Sequence, residues 1–327
     1  MDRRLHGYPH RQRGIAAITA LLVVALATIL AADLAWELYL DIRRSESALL
    51  HNQARQFALG AEIMAADALR QDFESDAEDN EFCDYADERW ATELTLPFEG
   101  GTVRGRLTSL QGRFHLNNLA ATGRRDGVVV EQFERLLETL GLDPGIAPKV
   151  LDWIDPDQSE VLGGAEDGVY TSRRPPYRTA NTWFTTTTEL LAVDGILDPE
   201  EPDAEVFRLL ERYVSALPPG QLINVNTAED PVLISFSQEG STSTAEILRA
   251  NRPYCTLLTG TGGSAFMDDA EGLVDPGFAN EYLDVVTYFF QLKVLVTLGT
   301  TQLTMYSLLH RDSNGVVTTS LRFFDTK

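Results

Sequence analysis

Hydrophobic residues near the start of this chain follow a pattern that changes once. Residues 15–32 carry no charge, and as a helix they would measure roughly 27 Å, close to the ~30 Å core of a bilayer. From Leu34 to Leu69 apolar residues recur at three-, four- and seven-residue spacings with charged residues between them. Gly60 is the only glycine or proline in 15–96. The pattern predicts one long helix that leaves a membrane and becomes amphipathic.

Two strand-like regions lie far apart in the rest of the chain. β-Branched and aromatic residues alternate with polar ones in 102–118 and again in 287–327, where Asn314-Gly315 is typical of a hairpin turn. Residues 119–262 instead show helical periodicity with glycine and asparagine stops. Strands on both sides of this block must meet in one sheet. We therefore predict an α+β fold in which a long N-terminal helix packs on a small antiparallel sheet that carries a large all-α insertion.

Two further stretches allow a local prediction. The acidic run 73–90 is expected to be an irregular surface segment. The sequence INVNTA, residues 223–228, is similar to a helix-hairpin-helix or SAM-like unit. Asn224, Asn226 and Thr227 are expected to cap the helix that follows it.

Charge narrows the choice of partners. The chain of 327 residues has a formal net charge of -22, which opposes binding to nucleic acid phosphates, so no nucleic acid partner is expected. The exception is a short leader that contains Arg3, Arg4, Arg11 and Arg13. Basic flanks of membrane segments stay cytoplasmic, so the body is expected on the other side.

The leader and the apolar segment carry a resemblance to a known class. Arg13-Gly14 followed directly by IAAITALLVVALATILA and a long helix resembles the type IV pilins and pseudopilins. The resemblance implies that prepilin peptidase cuts between Gly14 and Ile15 and that the new amino group of Ile15 is methylated. An ordinary signal peptide or a plain membrane anchor is the alternative interpretation of the same segment.

One departure from the class is informative. Pilin-class proteins usually have a glutamate five residues into the mature chain, where it neutralises the terminal ammonium of the subunit docked ahead of it. Here that position is Thr19. An unpaired charge in an apolar bundle costs several kcal/mol, so a subunit without this glutamate suits the tip of a filament.

Together with the chain length, this departure resembles the large minor pseudopilin of the type II secretion system, the general secretion pathway protein K family. The similarity extends to DWIDPDQ, GAEDGVY, PPYR and INVNTA within the predicted insertion. It implies a single-pass inner-membrane protein with its C-terminal domain in the periplasm. It also implies assembly with minor pseudopilins I and J at the tip of the pseudopilus, where export of proteins across the outer membrane begins.

The patterns and the resemblance together divide the chain into five segments. These are a cleaved leader, a transmembrane helix, an amphipathic helix with the first part of the pilin-like domain, the inserted helical domain, and the remaining strands: 1–14, 15–36, 37–118, 119–262 and 263–327.

A dense group of acidic residues indicates a cation site. Six carboxylates lie in 152–167, and no lysine or arginine occurs in 150–172. A hard divalent cation that accepts several oxygen ligands would offset their repulsion, and calcium suits such a flexible set. Pro156 and the lack of a loop glycine exclude an EF-hand. The resemblance also implies calcium, with candidate ligands Asp155, Asp157, Glu160, Glu166 and Asp167. A solvated acidic loop is the alternative.

The two cysteines allow two outcomes. If the body is exported, Cys83 and Cys255 are able to form one disulfide. Two unpaired cysteines remain the alternative.

Signs of catalysis are sparse in the sequence. The histidines His51, His115 and His310 are isolated, and no GxSxG motif is present. We therefore expect no enzyme. A membrane-anchored periplasmic hydrolase and a minor pilin of a type IV pilus are the rival interpretations.

Overall fold

The computed structural model describes residues 12–79, 81–121, 126–197, 204–237, 240–257 and 272–326. Most of the predicted leader and the predicted boundary at 262/263 lie outside these residues. The helices and strands are numbered in chain order. The helices are α1 (Gln12–Asp79), α2 (Gly127–Thr139), α3 (Ile146–Ile154), α4 (Asp167–Tyr170), α5 (Glu205–Leu210), α6 (Asp230–Phe236), α7 (Thr242–Ala250) and α8 (Pro276–Tyr282).

The strands form one larger sheet and several short pairs. They are β1 (Glu81–Phe82), β2 (Leu94–Phe98), β3 (Gly101–Ser109), β4 (Phe114–His115), β5 (Val214–Ser215), β6 (Ile223–Asn224), β7 (Thr256–Leu257), β8 (Leu283–Asp284), β9 (Phe289–Leu298), β10 (Thr301–Arg311) and β11 (Val317–Thr326). Short 3-10 helices cover Arg89–Ala91, Leu116–Ala120 and Thr187–Ala192.

The predicted single long helix is confirmed. Helix α1 runs without interruption for 68 residues. It continues through residues 73–79, which the sequence assigned to an irregular segment. Its first part is exposed on all sides, whereas Ala54, Ala58 and Leu69 are fully buried against the sheet. The alanines allow the helix to approach the strands closely.

The sheet confirms the predicted pairing of distant strands. Its order is β11-β10-β9-β3-β2, and every neighbouring pair is antiparallel. Val103 on β3 lies opposite Val296 on β9, so strands from the two ends of the chain share a register. Alternate residues face α1 and are buried with Leu303 and Met305 of β10. The predicted α+β fold is thus confirmed.

The predicted hairpin turn joins β10 to β11. The side chain of Asp312 accepts hydrogen bonds from the backbone N–H groups of Asn314 and Val316, each at 2.9 Å. Gly315 has a φ of +78°, which a residue with a side chain rarely adopts.

The helical region between β3 and β9 has its own core and differs in part from the prediction. Helices α2 to α7 enclose Phe133, Leu136, Val150 and Leu233. The paired strands β4–β5 and β6–β8 are parallel and only two residues long, so the region is not purely helical. Helix α8 lies in 263–327, where the sequence predicted strands, and its Phe278 packs against Phe236 of the helical core.

Candidate functional site

The predicted acidic site forms around a loop between two helices. Helix α3 ends at Ile154, Asp155 is its C-cap residue, and Glu166 is the N-cap residue of α4. Oxygen atoms of Asp155, Asp157 and Glu166 all lie within 4.8 Å of one another. The chain folds back between the two helix ends, and this brings carboxylates eleven residues apart in sequence to one point.

Burial leaves this cluster short of partners. Asp155 is 8% exposed and Glu166 is 5% exposed. Asp155 Oδ1 and Glu166 Oε1 are buried and have no hydrogen-bond partner among the described residues. Burial, together with neighbouring aspartates, raises the pKa of Glu166 to about 7. Burial and Asp157 likewise raise the pKa of Asp155. Buried carboxylate oxygens without donors are the ligands that a hard cation would satisfy.

Asp152 supports the cluster from inside α3. It is fully buried, and both of its carboxylate oxygens accept from the N–H of Val161 at 3.3 Å. Burial raises its pKa to about 6. A side chain at Gly164 would overlap Asp152 Oδ2. Asp152 and Gly164 therefore fix the shape of the loop, a role that the acidic density alone did not assign.

Two of the five predicted ligands lie outside the cluster. Glu160 is exposed to solvent and is not among the carboxylates that converge. Asp167 Oδ1 accepts from the backbone N–H and the hydroxyl of Thr179, both at 3.0 Å, and Asp167 Oδ2 lies 3.4 Å from Arg178 Nη1. Asp167 is thus already partnered, which removes the need for a metal at that carboxylate.

Thr179 is a site residue that the sequence did not reveal. Besides Asp167, its hydroxyl lies 3.3 Å from Glu166 Oε2, and it accepts from Gln158 Nε2 at 3.1 Å. It joins the two ends of the loop. Thr179 lies thirteen residues after Glu166, and residues 168–188 contain no acid, so composition gave no signal for it.

The N-terminal segment has the properties of a membrane anchor. Among the described residues, α1 is the one helix long and apolar enough to cross a membrane, and its most apolar window is entirely exposed. Gly14 and Ile15 lie in its first turn. The hydroxyl of Thr19 donates to the carbonyl oxygens of Ile15 at 3.1 Å and Ala16 at 3.0 Å. Thr19 is therefore satisfied within its own helix.

The two cysteines meet beside the short strand pair β1–β7. Cys83 follows β1, Cys255 precedes β7, and the two strands pair. Their Cα atoms are 4.7 Å apart, and the structure joins the two sulfurs in a disulfide.

The asparagines of INVNTA do not cap a helix, so this prediction is wrong. Helix α6 begins after Glu229, and no side chain caps its first turn. Instead Asn224 donates to Asp84 O at 3.0 Å and to Thr287 Oγ1 at 2.8 Å. Asn226 exchanges hydrogen bonds of 2.8 Å with both backbone groups of Tyr254. Both asparagines are buried, so they fasten distant segments together.

A long helix with an apolar N-terminal part packs on an antiparallel sheet, and a helical insertion carries the acidic cluster. These features define a pilin-like protein with an N-terminal membrane helix. The family model of type II secretion system protein K matches residues 112–219. Protein K of Pseudomonas aeruginosa is 36% identical over an alignment of 318 residues that covers 94% of this chain and 91% of the relative. Protein K of Pectobacterium carotovorum is 32% identical over 92% of this chain and 93% of its own length. The chain belongs to the type II secretion system protein K family.

A solved structure has the same fold. It is the GspK-GspI-GspJ complex from the type 2 secretion system of enterotoxigenic Escherichia coli. The match has a TM-score of 0.70 at 24% sequence identity and covers 87% of this chain and 100% of that chain.

Proposed function

We propose that this chain is a minor pseudopilin at the tip of the type II secretion pseudopilus. There it initiates assembly together with minor pseudopilins I and J for protein export across the outer membrane. The observation that carries the proposal is the uncovered apolar surface of α1, on which Leu38, Ile42 and Leu49 are 57–64% exposed. A protruding helix of this kind is stabilised when it joins a bundle of similar helices. The fold shared with the GspK-GspI-GspJ complex supports I and J as partners.

Thr19 supports the position at the tip. Its hydroxyl is used within α1, so this position offers no carboxylate to the ammonium group of a subunit placed above. The ammonium of Ile15 is able to pair with a glutamate of a subunit below. The helical insertion is bulky, as expected of a subunit on which no further subunit docks.

Processing and orientation belong to the same proposal. Prepilin peptidase removes residues 1–14, and the amino group of Ile15 is methylated. The protein spans the inner membrane once, with its C-terminal domain in the periplasm. The basic leader supports this orientation, since arginines flanking a membrane segment stay in the cytoplasm.

We also propose that the acidic cluster binds calcium. Asp155, Asp157 and Glu166 would hold the ion, because their oxygens converge and two of them are buried without donors. The ion would supply the positive charge that this part of the chain lacks. Bound calcium would thereby fix the loop between α3 and α4.

Replacement of Gly14 tests the proposed function in the producing bacterium. We expect Gly14→Val to block removal of the leader, which keeps the Ile15 amine from forming and abolishes secretion. Thr19→Glu is the control at the same end of the helix: it should be processed normally and should reduce secretion less, since no subunit lies above it. Normal processing and secretion with Gly14→Val would overturn the proposal.

A further inference from the structure

A groove with two chemically different halves runs along α1 beside the edge of the sheet. Its apolar half, about 210 Å³ in volume, lies between α1 and strand β2. Met64 on the helix is 51% exposed there and Leu94 on β2 is 52% exposed, while Trp90 is buried at the base. Strand β2 is an outer strand of the sheet, so no further strand within the described part of the chain covers this half.

The acidic half continues the groove along the same helix. It has a volume of about 760 Å³ and shares Ala68, Trp90 and Leu94 with the apolar half. Six acidic residues line it, whereas Arg89 is the single basic residue in its lining: Asp72, Asp76, Asp79, Glu81, Asp87 and Glu88. The groove thus changes from apolar to strongly negative over a short distance.

Among the described residues, the cations neutralise only part of this half. Arg311 is buried below it and binds Asp84 at 2.6 Å and Asp72 at 3.1 Å. Asp76 and Glu88 form no ion pair among the described residues. Burial and the neighbouring aspartates raise the pKa of Asp76 to about 7 and that of Glu88 to about 8. A positive charge in the groove would relieve this repulsion.

We infer that this acidic–apolar groove binds a segment of a partner protein in which apolar side chains are followed by lysine or arginine. Charge complementarity selects a basic occupant, and the adjoining apolar half requires side chains that a free metal ion does not have. The inference stands independently of the position of the chain in a filament.

The geometry of α1 also sets the spacing within the partner. Met64 lines the apolar half and Asp76 lines the acidic half, twelve residues later on the same helix. At 1.5 Å per residue this separation is roughly 18 Å. A partner helix parallel to α1 would therefore place its basic side chains about three turns after its apolar ones.

A defined peptide tests the inference on the full-length chain in non-ionic detergent. The probe is a fluorescein-labelled helix of eighteen residues with leucines on one face of its first half and lysines on the same face of its second half. The matched peptide has the same composition, with leucines and lysines intermixed along that face so that neither half is wholly apolar or wholly basic. Fluorescence anisotropy gives the Kd of each. We expect the first peptide to bind at least about fivefold more tightly, the discrimination that about 1 kcal/mol provides.

Paired variants separate the groove from the overall charge. The variants are compared at pH 9, where Asp76 and Glu88 are ionised. Asp76→Asn with Glu88→Gln should weaken binding about tenfold. Glu131→Gln with Glu138→Gln, on the exposed face of α2, also replaces two carboxylates and should weaken it less than twofold. Leu94→Ser should weaken binding, whereas Leu321→Ser, equally exposed at 52% on β11, should not. Circular dichroism verifies folding, and Met64→Gln replaces Leu94→Ser if that variant unfolds.

Several results would overturn the inference. Equal weakening by both charge pairs would show a general charge effect, and no preference between the two peptides would remove the apolar half from the site. Displacement of the peptide by millimolar calcium at the groove, unaffected by Leu94→Ser, would make the groove a cation site. A dimer of the full chain that the groove variants dissociate would make the occupant a second copy.

Discussion

Asp155 and Glu166 illustrate, at the scale of single residues, how a fold brings together carboxylates that repel each other. Each has a buried oxygen without a donor, and each has a raised pKa because of burial. Holding such groups together costs free energy in the absence of a cation. If calcium binds these carboxylates only in the folded chain, as proposed, the ion offsets their repulsion and stabilises the folded state.

Replacing Asp155 should therefore remove the effect of calcium on stability. In the wild-type chain, calcium at a hundredfold excess over its Kd is expected to raise the free energy of unfolding by about 2.7 kcal/mol. Asp155→Asn should lose most of this increase, because it removes one charged ligand. Urea unfolding with calcium and with EDTA gives the difference.

The matched control for this variant is Glu160→Gln. Glu160 belongs to the same loop but is exposed and lies outside the cluster, so the effect of calcium should persist. Loss of the calcium effect in Glu160→Gln, or its survival in Asp155→Asn, would contradict the assignment of ligands.

Raised carboxyl pKa values also predict how stability depends on pH. Burial raises the pKa of Asp76 to about 7 and that of Glu88 to about 8, so between about pH 4 and 8 the folded chain holds protons that the unfolded chain has released. The free energy of unfolding should consequently fall as pH rises through this window. Asp76→Asn with Glu88→Gln should flatten the decline, measured by urea unfolding in EDTA at pH 5, 6.5 and 8.

Other carboxyl groups also contribute to the decline of the free energy of unfolding with pH, so the double variant should not abolish it. Asp72 and Glu166 also have raised pKa values, about 6 and about 7, so part of the decline should survive in the double variant. Glu131→Gln with Glu138→Gln, the same kind of side-chain change on the exposed face of α2, is the control. An unchanged slope in the variant of Asp76 and Glu88 would refute this account.

At the scale of single residues, the sequence identified the acidic residues but not the side chains that contact them. The density of carboxylates in 152–167 was sufficient to predict a cation site. The partners of Asp167 were not predictable, since Thr179 belongs to no acidic pattern. The buried ion pair of Asp84 with Arg311 was missed because 227 residues separate them and Asp84 lies in a run that looks exposed.

Helix α1 and the sheet form the central contact between elements. The helix lays Ala54, Ala58 and Leu69 against β9 and β10, and the network of Glu62 with Ser307, Thr319 and Arg322 ties it to the last two strands. Small side chains allow close approach, and the buried carboxylate is fully partnered. The contact is therefore both apolar and specific.

Truncation of the buried face should be far more costly than truncation of the exposed face. Leu69→Ala should lower the free energy of unfolding by about 2–5 kcal/mol because Leu69 is fully buried. Ile63→Ala on the same helix is the control, since Ile63 is 71% exposed, and should cost less than about 0.5 kcal/mol. Equal losses in urea unfolding would show that the helix does not pack on the sheet through this face.

Elements with a strong repeat were predictable, and short ones were not. The spacing of apolar residues predicted α1, and the Asn314-Gly315 turn predicted the β10–β11 hairpin. Strand pairs of two residues, such as β6–β8, have no periodicity to detect. Helix α8 was not predicted, because the sequence before it shows no periodicity and because its buried face packs against Phe236, which is distant in sequence.

At the scale of the whole molecule, a disulfide and hydrogen bonds fasten the helical insertion to the segment that follows α1. Cys83 and Cys255 are joined, and Asn224 reaches the backbone of Asp84. The insertion should consequently move with the sheet domain as one unit. Such a unit suits a cap that must hold its position on a growing assembly.

Removal of the disulfide should weaken this attachment. Cys83→Ser with Cys255→Ser should lower the free energy of unfolding by about 2–5 kcal/mol, as the cross-link closes a loop across 172 residues. Dithiothreitol should lower the stability of the wild-type chain similarly and leave the double variant unchanged. A wild-type chain that dithiothreitol does not affect would show that the two cysteines are not joined in the purified protein.

The central claim is that a specific cleavage creates a new amine, which docks the chain at the top of the pseudopilus. Mass spectrometry of the N-terminal peptide, taken from protein purified from the membranes of its own host, tests this most directly. We expect a chain that begins at N-methylated Ile15. A chain that still begins at Met1, or one that starts near Asp33 as after signal peptidase, would contradict it.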